Sequence, residues 1–125
     1  MHVRAAIDRV APVIEQHRDE GEQQRQLPDA IVAAMRDAGL LRVWTPREYG
    51  GSEVDLPVFM EAAESLARMD SASGWVFATA AAGALLTAFV PPESAMEIYA
   101  DGPDVALPGA SAPNGRAVPV GGATG

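Results

Sequence analysis

The stretch that decides the fold is LPDAIVAAMRDAGLLRVWTPREYGG, residues 27–51. Its first half places apolar residues at helical spacing. Pro28 suits the first turn of a helix, and Gly39 suits the left-handed position that ends one. Its second half contains Pro46 and a closing Gly-Gly pair, which cannot continue as a helix. The stretch therefore predicts a helix over residues 27–38, followed by an ordered connector or a loop.

Helical patterns continue on both sides of this stretch. Residues 3–24 carry an apolar stripe among charged side chains, as in an amphipathic helix. Pro12 lies inside this pattern and removes one backbone hydrogen bond, so we expect it to kink the helix or divide it into two shorter ones. Three further helices are expected: one capped by Asp55, one capped by Ser71 or Ser73, and a short one over residues 92–100.

The fourth of these helices is apolar on nearly all sides. Its apolar part, residues 75–90, contains no charged side chain and falls short of the roughly 20 residues that cross a bilayer. A helix without a polar face packs in the middle of a bundle. The sequence therefore predicts a mainly α fold, a helical bundle with this helix near its centre. An Asp at Leu86 is then expected to unfold it.

The charge of the chain excludes several classes of partner. Its 125 residues carry a formal net charge of −8, which repels phosphate backbones and anionic lipid head groups. Nucleic acid and membrane are therefore not expected partners, and the same argument disfavours a helix-turn-helix DNA reader over residues 27–44. The chain has no cysteine, and its first nine residues lack the apolar core of a secretory signal. The cytoplasm is the expected location.

The composition changes after Gly102. Residues 105–107 and 116–120 have the pattern of two short strands joined by turn residues. We therefore predict a helical domain over residues 1–102 and the beginning of a middle β-domain over residues 103–125. A single hairpin is marginal in water, so the second part is expected to be the start of a truncated domain.

The order and spacing of these elements resemble the acyl-CoA dehydrogenase superfamily, including its branch of flavin-dependent monooxygenases. The resemblance covers about residues 5–122. It rests on residues 27–51, on EAAESLARMDSASGW at residues 61–75 and on LPGASAPNGRAVPVGG at residues 107–122. The last segment departs from the Thr-Glu-Pro stretch usual in true acyl-CoA dehydrogenases and is closer to the monooxygenase-like branch.

The resemblance implies a flavoprotein oxidoreductase with an N-terminal helical domain, a β-domain and a C-terminal four-helix domain. In the complete enzyme, a homo-oligomer (tetramer), FAD or FMN would bind between the last two domains. The substrate would be an acyl-CoA or a related small molecule oxidised with FAD. Alternatively, the enzyme would be a monooxygenase that uses FMNH2 or FADH2. Catalytic residues lie in the later domains of the family, so none is assigned here, and this chain alone is expected to be inactive and to hold no flavin.

Two small groups of residues are candidate site residues by this resemblance. Gly109, Ala110 and Ser111 match the strand edge that approaches the flavin ring, with an ordinary turn as the alternative. Trp75 and Thr79 begin the helix that lines the substrate cavity in the family, with core packing as the alternative for Trp75. That helix carries no histidine, whereas some monooxygenase-like relatives use one there for proton transfer.

Other residues have structural explanations. Tyr49 and the glycine pair that follows it are expected to shape a turn. His17 is expected on a solvated face with no second ligand at metal spacing, so no metal is predicted. A hypothesis from another class stays open, namely a non-catalytic helical interaction module, because apolar surface without an internal partner would require another protein.

Overall fold

The structure is a computed structural model, and it describes residues 2–107, 109, 112 and 114–119. The chain begins with one long helix, α1 (Val3–Gln24). The helix continues through Pro12, so the predicted amphipathic helix is confirmed and the alternative of two shorter helices is wrong. Pro12 lies on the exposed side, and the opposite side is buried against the rest of the bundle. The packing of that buried stripe outweighs the loss of one hydrogen bond. The stripe consists of Val3, Ala6, Ile7, Val10 and Ile14.

The second helix, α2 (Asp29–Asp37), lies within the predicted range, but Pro28 is its N-cap residue and not part of its first turn. Gly39 adopts the left-handed conformation with φ 76°, which directs the chain away from the helix axis. The connector that follows is ordered. It contains two short 3₁₀ turns, and the N–H of Val54 donates to the carbonyl of Val43 at 2.9 Å. This bond brings its two ends together beside the helices.

The most extensive helix contact in the described residues joins α3 (Leu56–Met69) to α4 (Ser71–Leu86). A row of stacked aromatic rings crosses this contact from the connector. Trp44 lies on Phe59 with ring centroids 3.9 Å apart, and Phe59 lies on Phe77 at 5.2 Å. These rings and the small residues around them tie the connector, α3 and α4 into one core.

The start of α4 differs from the prediction. Its N-cap is Asp70, whose carboxylate accepts from the backbone N–H of Ser73 at 2.8 Å and from its hydroxyl at 2.6 Å. Neither Ser71 nor Ser73 is the cap. A carboxylate at this end of a helix is favoured by the dipole as well as by the hydrogen bonds, which explains why Asp70 takes the position.

A 3₁₀ turn (Thr87–Phe89) extends α4, and a short helix, α5 (Pro92–Ile98), follows. The mainly α fold is therefore confirmed. The described residues at 105–107 and 116–119 do not form the expected strands, because a strand is stable only when a neighbour accepts and donates its backbone hydrogen bonds. The division into domains at residue 102 stays a prediction.

Candidate functional site

Only one face of α4 is buried, so its predicted central position is wrong. That face packs on α3 and includes Gly74, Phe77 and Ala81. The other face is apolar and exposed, with 72% of Trp75, 64% of Leu86 and 81% of the nearby Phe89 accessible to solvent. The physical reason is that none of the other described helices packs on these three side chains.

The exposed face changes the expected effect of a charge at Leu86. Leu86→Asp should alter the free energy of unfolding by about 0.5 kcal/mol or less, as for other surface substitutions. Ala84→Asp is the matched control, because Ala84 lies two residues earlier and is fully buried. The control should lose its cooperative thermal transition by circular dichroism, since a buried unpaired charge is strongly destabilising. Unfolding of Leu86→Asp itself would contradict the exposed face.

Trp75 and Thr79, the predicted substrate-pocket residues, lie one turn apart on α4. The Thr79 hydroxyl donates within its own helix, to the carbonyls of Trp75 at 2.9 Å or Val76 at 3.2 Å. Its lone pairs are left as acceptors for a ligand. Because Trp75 is exposed, core packing is not its role here, and its ring is available to contact another molecule or another part of the enzyme.

Trp75 also forms one wall of a shallow cavity of about 240 Å³ between the end of α1 and the start of α4. Thr79 does not line it. The charged groups around this cavity balance, since two are basic and two are acidic: Arg18, Arg25, Glu22 and Asp70. Asp70 is already used as a helix cap, so nothing here selects a ligand of one charge.

Among the predicted flavin-contact residues, only Gly109 is described; Ala110 and Ser111 lie outside the described residues. Gly109 is exposed, and a methyl group built on it would meet no atom within 4 Å. Two residues earlier, however, Leu107 lies directly against Gly83 of α4, one turn beyond Thr79. The chain therefore passes beside α4 at Gly83 shortly before it reaches Gly109.

A second aromatic cluster attaches α5 to the connector. The rings of Tyr49 and Tyr99 stack at 5.1 Å, and the buried Tyr99 hydroxyl forms a 3.0 Å hydrogen bond with Thr87. Desolvation first, then the negative charge of Glu48, and then the neighbouring Tyr99 phenol and the charge of Glu93 raise the pKa of Tyr49 above its ordinary value. Its phenol therefore stays neutral at physiological pH and serves as a packing residue.

No group of three or more His, Asp or Glu side chains at metal-binding distance occurs within the part of the chain that the structure describes. His17 Nδ1 lies 3.0 Å from Glu20 Oε2 on α1, which makes a local side-chain pair and not a metal site. Among the described residues, Ser71–Phe89 is long and apolar enough to cross a membrane by length and composition. The length of residues 75–90 therefore does not exclude a membrane-spanning helix. Core helices of soluble proteins meet the same criterion.

Sequence reasoning missed a polar cluster beside the connector. The Thr45 side chain is fully buried and donates to the carbonyl of Pro103 at 2.9 Å. Arg42 Nε donates to Asp104 Oδ1 at 2.9 Å. The partners are about sixty residues apart in sequence, so no local pattern could have connected them.

Comparison with known proteins places these features in a family. The family described as "Acyl-CoA dehydrogenase, N-terminal domain" matches residues 1–94. The chain is 31% identical over 120 residues to HsaA, the oxygenase subunit of a flavin-dependent monooxygenase from Mycobacterium tuberculosis, covering 96% of this chain and 30% of that protein. It is 31% identical over 115 residues to the oxygenase component of an FADH2-dependent resorcinol hydroxylase from Rhizobium sp., covering 90% and 28% respectively.

A third relative is the oxygenase component of p-hydroxyphenylacetate 3-hydroxylase from Acinetobacter baumannii, 28% identical over 110 residues, or 88% of this chain and 26% of that protein. The chain thus spans less than a third of the length of these relatives. Because the family description covers most of the chain and agrees with the observed helical fold, the chain belongs to the acyl-CoA dehydrogenase N-terminal domain family.

Proposed function

We propose that this chain is the N-terminal helical domain of the oxygenase component of a flavin-dependent monooxygenase. Three relatives with this type of name align with most of the chain. Their names favour the monooxygenase alternative over the oxidation of an acyl-CoA. The complete enzyme would take a small aromatic substrate, use reduced flavin and oxygen, and work in the cytoplasm as a homo-oligomer.

The observation that carries this proposal is the exposed face of α4. The stretch from Ser71 to Pro92 contains no ionisable side chain, and it exposes Trp75, Leu86 and Phe89 together. Apolar surface of this extent is usually covered in the working protein. An uncharged wall with two exposed aromatic side chains and the acceptor lone pairs of Thr79 suits contact with a neutral ring and with further protein.

The described residues do not enclose a flavin. Gly109 is exposed with open space around it, whereas a flavin site needs preorganised walls on both faces of the ring. The flavin of the complete enzyme, FAD or FMN, is therefore expected to bind mainly to its other domains. When bound, it would supply the activation of oxygen; this chain would supply part of the surrounding wall.

The purified chain should accordingly show no saturable binding of FAD or FMN. The measurement is a fluorescence titration with each oxidised flavin, and the expected result is a linear, unsaturated response up to high micromolar concentrations. Trp75→Ala is the matched control for nonspecific stacking, because that side chain is the largest exposed aromatic on α4. Saturable micromolar binding at one site per chain would contradict this prediction.

The proposed activity is tested with the full-length enzyme that carries this domain. It would be supplied with reduced FMN or FADH2, oxygen, and either p-hydroxyphenylacetate or resorcinol as probe substrates. Oxygen-dependent formation of a hydroxylated product supports the proposal. Oxidation of an acyl-CoA by an artificial electron acceptor without oxygen would instead assign it to the dehydrogenases.

The same exposed face is also compatible with an interaction module that performs no chemistry. On that hypothesis the full-length protein would lack flavin and form a defined complex with another protein. Copurification of flavin with the full-length protein would exclude the interaction module, and absence of flavin together with a stoichiometric partner would overturn the oxygenase.

A further inference from the structure

The chain does not leave the helical domain freely after α5. Residues 103–107, called the strap below, pass back over the connector and then onto α4. They contact the helical domain at Thr45 and Gly50, at Arg42, and at Gly83. These contacts involve two parts of the helical domain, the connector and α4, and each contact has a physical reason of its own.

The contact with Thr45 satisfies a buried polar group. The Thr45 side chain is fully excluded from water, and its hydroxyl donates to the carbonyl of Pro103 at 2.9 Å. Without the strap this hydroxyl would lose the partner it has in the structure, which is costly for a buried group. The ring of Pro103 also covers Gly50, since a methyl group built on Gly50 would lie 3.4 Å from Pro103 Cγ.

The contact with Arg42 fixes the direction of the strap. Its guanidinium donates to both carboxylate oxygens of Asp104, from Nε to Oδ1 at 2.9 Å and from Nη2 to Oδ2. Only 15% of the Asp104 side chain and 35% of the Arg42 side chain are exposed. Two parallel hydrogen bonds constrain orientation as well as distance, unlike a solvated surface ion pair.

The contact with Gly83 requires the absence of a side chain. A methyl group built on Gly83 would overlap the carbonyl oxygen of Leu107 and lie 2.7 Å from its Cβ. Glycine inside a helix is otherwise unfavourable by about 1 kcal/mol relative to alanine. The missing side chain at Gly83 leaves a notch in the surface of α4, and the backbone of Leu107 lies in contact with the helix there.

We propose that Arg42, Thr45 and Gly83 are positioning residues that hold the strap as a rigid exit from the helical domain. The strap reaches α4 at Gly83, one turn beyond Thr79, and Gly109 is at most about 7 Å from Leu107 along an extended chain. These three residues form a clamp on the strap, and this clamp does not depend on the proposed activity. Its role in directing residues 109–111 to a flavin rests on that proposal.

The test uses two spin labels on this chain, which has no cysteine of its own. Ala72→Cys and Ala106→Cys place labels at exposed positions on α4 and on the strap. We expect one narrow distance distribution by pulsed electron paramagnetic resonance. Asp104→Ala and Gly83→Leu should each broaden it at least twofold, because one removes the ion pair and the other fills the notch.

Gly115→Ala is the matched control, as a methyl group there meets no atom within 4 Å, and it should leave the distribution narrow. Far-UV circular dichroism must show unchanged helix content in each variant. Asp104 lies outside every helix, so Asp104→Ala decides the test if Gly83→Leu does not fold. A broad distribution in the labelled parent, or an unchanged one in the folded variants, would overturn the clamp whether or not the enzyme is an oxygenase.

Discussion

Phe77→Ala should lower the free energy of unfolding by about 3–5 kcal/mol. Phe77 is fully buried on the inner face of α4, and its ring lies 5.2 Å from that of Phe59 on α3. Truncation would remove the apolar contacts of the ring and leave a cavity in the most extensive helix contact of the described fold. For a domain with a total stability of about 5–15 kcal/mol, this loss is a large fraction. Urea unfolding followed by circular dichroism measures it.

Phe89→Ala is the matched control, because it removes the same side chain from a position that is 81% exposed. Its unfolding midpoint in urea should stay within about 0.5 kcal/mol of the parent chain. Comparable losses from the two variants would mean that the outer face of α4 is covered in solution, for instance by association of two chains. That result would contradict the assignment of this face as exposed to solvent.

The helices could be predicted because their signals are local. The stripe from Val3 to Ile14, the proline before α2 and the left-handed Gly39 each act within a few residues of the element that they specify. Even so, Pro12 left open whether residues 3–24 form one helix or two. The free energy that keeps this helix whole comes from packing against α2 and α3, which the periodicity of α1 alone does not reveal.

The site could not be predicted to the same extent. An apolar helix such as α4 has the same sequence pattern whether its second face meets a neighbouring helix or solvent. The pattern therefore predicted burial on both faces, whereas no described helix packs on the second face. The strap depends on pairs such as Arg42 with Asp104, which local patterns cannot link. Trp75 and Thr79 were found only by resemblance to a family, and their role stays a prediction.

Gly74→Val tests how closely α3 and α4 approach each other. A Cβ atom built on Gly74 would lie 2.6 Å from the Cβ of Ala67 and 2.7 Å from its Cα. Real side-chain carbons do not approach backbone this closely, so the two helices would have to separate. Overpacking of this kind typically costs about 1–3 kcal/mol, and contact with backbone rather than a flexible side chain places this variant at the upper end.

The matched control is Ala82→Val, on the exposed side of the same helix. It introduces the same β-branched side chain and so carries the same type of conformational penalty, about 0.5 kcal/mol for valine in a helix. Replacing glycine should be mildly favourable by helix propensity alone, whereas the clash with Ala67 reverses the sign. The free energy of unfolding in urea should therefore fall by about 2–3 kcal/mol for Gly74→Val and by much less for Ala82→Val. A Gly74→Val chain as stable as the parent would show that α3 and α4 are not in direct backbone contact at this point.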